Sequence, residues 1–452
     1  LVFDFGGGTV RINLLQGVSV ALLIALSSDV FGQDSEIQVL KSELAALRSQ
    51  YDARIAALET RLALAEQNAA AASYGAEQQS ASVASGATAF NPAIGVIFSG
   101  SAWNYSRDPD AYAVQGFPYG GEAGPIAEGL ALGETEIIMN ASVDDKFSAW
   151  LTAALAIEDG EAVVELEEAW VEATALPGGL GAKFGRFYSG IGYLNSKHAH
   201  SWDFADQPLP YQAFLAGQMK DDGLQVRWLA PTDLYLELGA EAFRGGSYPA
   251  SGAADSGYGS YSLFAKTGGD VGANSSWLAG VSWLEATAIE RPSGDEDDPY
   301  LFSGDSNLLL AEFVWKWAPN GNWKERNFVF QAEYLARSED GQYEGAGLSL
   351  TPYVNDQRGW YAQAVYQPRP RWRIGGRIDA LSSDNPGSAY DGTQLAVPGS
   401  DPRRFSLMAD WANSEFSRFR LQMTRDEAGL KDDNQWGLQY IHSIGAHGAH
   451  SF

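Results

Sequence analysis

The stretch RRFSLMADWANSEFSRFRLQMTRD, residues 403–426, decides the fold. Phe405, Leu407, Ala409 and Trp411 fall on one side of an extended chain, and Ser406, Met408 and Asp410 on the other, because successive side chains of a strand point to opposite faces. The turn-forming NSE at 413–415 follows, and FSRFRLQMT then resumes the alternation with Arg418 and Arg420 on its polar side. Two alternating runs joined by a tight turn are a β-hairpin.

The same period governs the chain from about Asn91 onward. RWRIGGRIDA sets Trp372, Ile374, Gly376, Ile378 and Ala380 against Arg371, Arg373, Arg377 and Asp379. NFVFQAEYLA sets Phe328, Phe330, Ala332, Tyr334 and Ala336 against Asn327, Gln331 and Glu333. LLAEFVWKW sets Leu309, Ala311, Phe313, Trp315 and Trp317 against Glu312 and Lys316, and LYLELGAEA alternates likewise. The runs reach ten residues or more, with Trp or Tyr recurring near their ends. That pattern predicts an all-β transmembrane barrel with an apolar outer band, aromatic girdles and a polar lumen.

Short turns fall at 144–145, 177–179, 230–233, 269–274, 319–322, 368–371 and 413–415. Longer polar segments lie at about 106–128, 158–162, 190–222, 245–257, 288–305, 338–357, 382–402 and 427–434. Seven turns alternating with eight loops predict sixteen antiparallel strands, with both barrel ends on the short-turn side. Short turns of outer-membrane barrels face the periplasm and long loops face outward. Sixteen strands are enough to leave an aqueous channel.

The first 90 residues read differently. Arg11 followed by the apolar run LLQGVSVALLIALSS and the small residue Gly32 predicts a signal peptide over 1–33. Over 34–68, Ile37, Leu40, Leu44, Leu47 and Tyr51, then Ile55, Leu58, Leu62 and Ala65, repeat at three-four spacing. This predicts an α-helical coiled coil, a periplasmic stalk joining several chains. An Ala-, Ser- and Gln-rich linker over 69–90 leads to the barrel, 91–452.

Composition narrows the functional classes. A net charge of −27, from 30 Lys and Arg against 57 Asp and Glu, argues against a nucleic-acid partner. The chain has no cysteine, which excludes disulfides, thiolate metal sites and a cysteine nucleophile. GxSxG, P-loop and HExxH motifs are absent, which disfavours an enzyme.

On the polar faces, Glu134, Glu136, Glu168, Glu172, Glu237 and Glu241 come from early and middle strands, and Arg371, Arg373, Arg377, Arg404, Arg418 and Arg420 from the last three. Placed across a lumen, these sectors would set up a transverse field that filters solutes by charge. In an extended segment His198 and His200 point the same way and offer two imidazoles to one Zn²⁺, with Asp203 and Asp206 near enough in sequence to contribute. The remaining histidines, His442, His447 and His450, lie on the last strand and its tail, and barrel height should separate them from His198 by roughly 25 Å. The acidic run Asp295, Glu296, Asp297 and Asp298 could hold Ca²⁺ at the mouth, or a metal bridging to lipopolysaccharide. No cofactor is required by any motif.

LEEAWVEA at 166–173, GAKFGRFYSGIGYLNSKHAHSWDFADQPLPYQAF at 181–214 and the ending GAHGAHSF carry a family likeness. Through them residues 91–452 resemble Gram-negative porins of the phosphate-selective porin O/P-like superfamily. More narrowly, the chain resembles the group labelled "zinc-regulated TonB-dependent outer membrane receptor". It departs from that label in that a coiled coil and linker leave no room for a plug domain. The middle motif, with Asn195, His198, His200, Phe204, Asp206 and Pro208, is the most specific. The resemblance implies an outer-membrane homotrimer whose third external loop folds inward as a constriction holding Asn195, His198, His200, Asp203 and Asp206. It implies an assembly signal read by the barrel assembly machinery, with Tyr440 on the same face as the terminal Phe452. The expected function is passive diffusion of small hydrophilic solutes or ions. The alternatives are a zinc-binding uptake channel and a tether from the outer membrane to peptidoglycan.

Overall fold

A computed structural model describes residues 92–445 except 122, 143, 159–160, 253–257 and 398. The leader, coiled coil and linker expected over 1–90 lie outside the described residues, as do His447, His450 and Phe452.

The described chain forms one antiparallel sheet that closes on itself. The first strands are β1 (Ala93–Tyr105), β2 (Gly129–Leu132), β3 (Thr135–Ser142), β4 (Phe147–Glu158), β5 (Glu161–Ala173) and β6 (Leu180–Tyr188). They are followed by β7 (Lys220–Leu229), β8 (Tyr235–Phe243), β9 (Ser260–Val271), β10 (Ser275–Ser293) and β11 (Tyr300–Trp317). The last are β12 (Asn327–Gly345), β13 (Leu348–Arg369), β14 (Trp372–Ser383), β15 (Arg403–Ser414), β16 (Ser417–Asp426) and β17 (Asp433–Gly445). Both β2 and β3 pair with β1, at Gly100 to Trp103 and Ala93 to Ile97 respectively, so they are two pieces of one wall position. The wall therefore has the sixteen positions that the turns predict. Closure runs along β1 and β17, from Gly95 opposite Gly445 to Tyr105 opposite Gln435. A closed wall leaves no unpaired edge, the condition for strands to cross lipid.

Alternation sorts the wall as the sequence predicts. Leu309, Phe313, Trp315, Phe405, Leu407 and Trp411 are exposed on the outside, while Glu312, Ser406 and Asp410 are buried within. An outer surface of this composition is stable against hydrocarbon, where water-facing apolar patches of such extent would not be.

Wall height varies. Strands β6, β7 and β8 have 9, 10 and 9 residues, the length that spans a bilayer core. Strands β10 to β13 have 19, 18, 19 and 22 residues and project well beyond it. This corrects the loops expected at 288–305 and 338–357: the links there are only 294–299 and 346–347. The polar residues in those stretches mark strands that have left the apolar layer, not strands that have ended. Phe302, Tyr343, Tyr353 and Tyr390 pack as a cluster that supports this tall wall.

The interior is not uniformly polar either. The segment between β6 and β7, residues 189–219, folds inward and carries the helix α1 (Leu209–Leu215). Pro210 presets the first turn of α1, and all seven helical residues are buried. Phe214 and Leu215 pack with Phe117 of the first loop against Leu284, Leu310, Leu335 and Tyr361 of the wall.

Candidate functional site

The inward loop 189–219 is the centre of the interior. Its path depends on Gly192, whose φ is +64° and whose missing Cβ would lie 2.6 Å from both Glu333 and Tyr211. The next two backbone N–H groups, of Tyr193 and Leu194, donate to the Glu333 carboxylate at 3.2 and 3.1 Å. Tyr211 and Tyr361 donate their hydroxyls to the same group at 2.8 and 2.5 Å. Asn195 clasps the base of the loop: Nδ2 donates to Ser189 O and Met219 O, and Oδ1 accepts from Met219 N at 2.8 Å.

Beyond this base the loop touches two walls of opposite charge. On one side, His198 Nε2 lies 2.8 Å from Glu168 Oε2. His198 Nδ1 lies 3.5 Å from Glu136 Oε2 and 3.3 Å from Glu167 Oε2. His200 Nδ1 is 2.6 Å from Glu136 Oε1. Burial alone would push the His198 pKa down, but the surrounding Glu136, Glu167 and Glu168 carboxylates outweigh it and hold the group well above its ordinary range.

Three and six residues past His200, the loop meets guanidinium groups. Asp203 accepts from Arg373 Nη1 at 2.8 Å. Asp206 Oδ2 accepts from Arg377 Nη2 at 2.9 Å and Arg404 Nη1 at 3.0 Å, and its Oδ1 from Gln422 Nε2 at 2.6 Å. Burial disfavours the charged carboxylate, but the two guanidinium groups reverse this and hold the Asp206 pKa below its usual range. Arg418 and Arg420 donate to the loop carbonyls of His200 and Trp202, each at 2.6 Å.

Other expected site residues have local partners. Glu172 and Glu237 both pair with Arg227. Glu241 accepts from Gly190 N at 2.9 Å and Gln225 Nε2 at 2.6 Å. Glu134 sits half-buried at the break between β2 and β3. Arg371 is not on the inner wall: it is exposed in the β13–β14 turn with φ of 71°.

Two expectations change in detail. Asp203 and Asp206 do not join His198; arginines take both, and the carboxylates around His198 come from β3 and β5. Barrel height does not separate His198 from His442 either. Glu136 pairs with Ile97, and Ile97 with Ser443, so the loop descends to the level of the last strand. Ile441 packs inward with Ile97 and Ile138, so alternation turns His442 outward. What divides the histidines is the thickness of the wall. Tyr440 lies beside His442, with its hydroxyl 3.3 Å from Nδ1.

Glu167 is the residue that alternation misses. Opposite β5, Thr152 pairs with Glu168 and Ala153 with Leu166, leaving Glu167 as the extra residue of a β-bulge. Glu167 and Glu168 therefore both face inward and are buried. The signal was present as a phase change: exposed Val164 and Leu166 have even numbers, and exposed Val171 an odd one.

The arrangement defines a class: a closed barrel of membrane-spanning proportions with an inward-folded loop held between a carboxylate wall and an arginine wall. The chain belongs to the same family as an uncharacterized protein of Aquifex aeolicus (strain VF5), with which it is 33% identical over 352 residues, 74% of this chain and 72% of that protein. No family model matches the chain. Among solved structures it is similar to OmpTdeltaL8, a loop deletion mutant of an outer membrane protein of Vibrio cholerae (TM-score 0.49, 12% identity, covering 78% of this chain and 99% of that one). It is also similar to the outer membrane channel DcaP of Acinetobacter baumannii (TM-score 0.48, 13% identity, 79% and 99%). The label of a TonB-dependent receptor is not supported, since sixteen wall positions fall short of the 22-stranded plugged transporters.

Proposed function

We propose that this protein is a bacterial outer-membrane channel of porin type, passing small hydrophilic solutes or ions by diffusion. The observation that carries this reading is a sixteen-position closed wall, apolar outside and largely polar inside, crossed by the loop 189–219. A barrel of that size encloses more space than its own side chains fill, and the loop narrows it. The three-four apolar repeat over 34–68 supports assembly as a homotrimer through a coiled coil.

The interior charge points to a preference for cations. Arg373, Arg377, Arg404, Arg418 and Arg420 stand among Asp203, Asp206, Asp379, Asp410 and Asp426, so that sector is balanced. On β3 and β5, Glu172 pairs with Arg227 and Glu165 with Lys220, while Glu136, Glu167 and Glu168 converge on His198 without an arginine among them. Conductance in planar bilayers tests both parts. The expected results are stable open channels and a reversal potential displaced toward the cation in a salt gradient. A folded trimer that carries no current would refute the channel reading, and an anion-selective channel would refute the charge assignment.

A further inference from the structure

The geometry points to a divalent transition-metal site formed by Glu136 Oε2, Glu167 Oε2 and His198 Nδ1. These three atoms lie within 4.8 Å of one another. Two of the separations, 3.5 and 3.3 Å from His198 Nδ1, are those of donors sharing one ion. Bonds of 2.0–2.1 Å at tetrahedral angles place neighbouring ligand atoms about 3.3 Å apart. Glu167 is 4% exposed, yet its Oε2 makes no hydrogen bond, and neither does His198 Nδ1. Buried polar atoms are ordinarily well bonded, and this pair is an ion contact at 3.3 Å without hydrogen-bond geometry, which an ion shared between the two atoms would improve.

The surroundings are those of a ligand set. A metal-bound imidazole typically gives its second nitrogen to a carboxylate, and His198 Nε2 has Glu168 at 2.8 Å. Each carboxylate is oriented through its other oxygen: Glu136 Oε1 by His200 and Glu167 Oε1 by the Tyr188 hydroxyl. Three glutamates converge on one imidazole, with Lys183 near Glu168 and Lys220 near Glu167 as the adjacent cations, and a dication held by Glu136 and Glu167 would take the place of the ring proton between them. The nitrogen donor selects ions such as Zn²⁺ or Co²⁺ over Ca²⁺ and Mg²⁺, which take oxygen ligands. Three protein donors leave a fourth position for water. The ion would pin the inward loop to β3 and β5, whether or not the barrel conducts.

The test uses folded, chelator-stripped barrel in detergent, titrated with ZnCl₂ by calorimetry and with CoCl₂ by visible absorption. The expected result is one ion per chain with a tetrahedral Co²⁺ spectrum. His198→Gln and Glu167→Gln should each weaken Zn²⁺ binding at least about tenfold, and His442→Gln should leave it unchanged. Absence of saturable one-per-chain binding would overturn the site. So would wild-type affinity in Glu167→Gln, a loss in His442→Gln, or Ca²⁺ bound as tightly as Zn²⁺. If His198→Gln does not fold, Glu167→Gln decides alone, because it keeps the side-chain volume and lies on a strand.

Discussion

The two flanks of the inward loop use the same kind of contact with opposite accounting. At Asp203 and Asp206 the loop brings carboxylates to a wall of arginines that already holds Asp379, Asp410 and Asp426, and charge closes to neutrality. At His198 and His200 it brings imidazoles to a wall with three converging glutamates, and no guanidinium takes part. The first flank is an anchor of paired arginines and aspartates, while the second gathers its carboxylates on imidazole, the donor set of the proposed metal site.

The largest effect should come from breaking the complete flank. Asp206→Asn removes a charge shared by two buried guanidinium groups and should destabilise the barrel by about 3 kcal/mol, the low end of the range for breaking a buried ion pair, because Arg377 keeps Asp379 and Arg404 keeps Asp426. Thermal unfolding in detergent checks it. Acid should act on the same contact without mutation. Because the Asp206 pKa is lowered in the folded protein, its contribution is fully present above the ordinary aspartate value and is lost as pH falls through the folded one. Hydrogen exchange of 199–208 should stay slow at neutral pH and accelerate only below the ordinary aspartate range; in Asp206→Asn it should be fast at neutral pH already. The smallest effect belongs to the other flank. Glu168→Gln relieves repulsion among glutamates but leaves one acceptor oxygen, which can serve Trp170 Nε1 or His198 Nε2–H and not both. Losing one of the two bonds should cost about 1–2 kcal/mol. A loss equal to that of Asp206→Asn would erase the distinction between the flanks.

Much of the wall was legible because lipid outside and water inside impose a strict period of two. Phe405 through Trp411 show it, and so do the seven tight turns. The interior was less legible. Asp206 and Arg404 are 198 residues apart, and no local pattern links them. Leu310 and Leu335 face inward because α1 and the first loop cover them, which alternation alone reads as an error. Glu167 required noticing that β5 changes phase midway. Arg371 misled because a turn residue can share the parity of the strand beside it.

Asn195 gives the loop a property of its own. By joining Ser189 and Met219 it converts a long open span into a ring closed at the neck. In polymer terms, most of the closure entropy is settled at that neck before either flank engages. Release of one flank should then swing the loop as a single pendant body about its base instead of unravelling it. The width of the passage would change between a few discrete settings, with no continuous range in between.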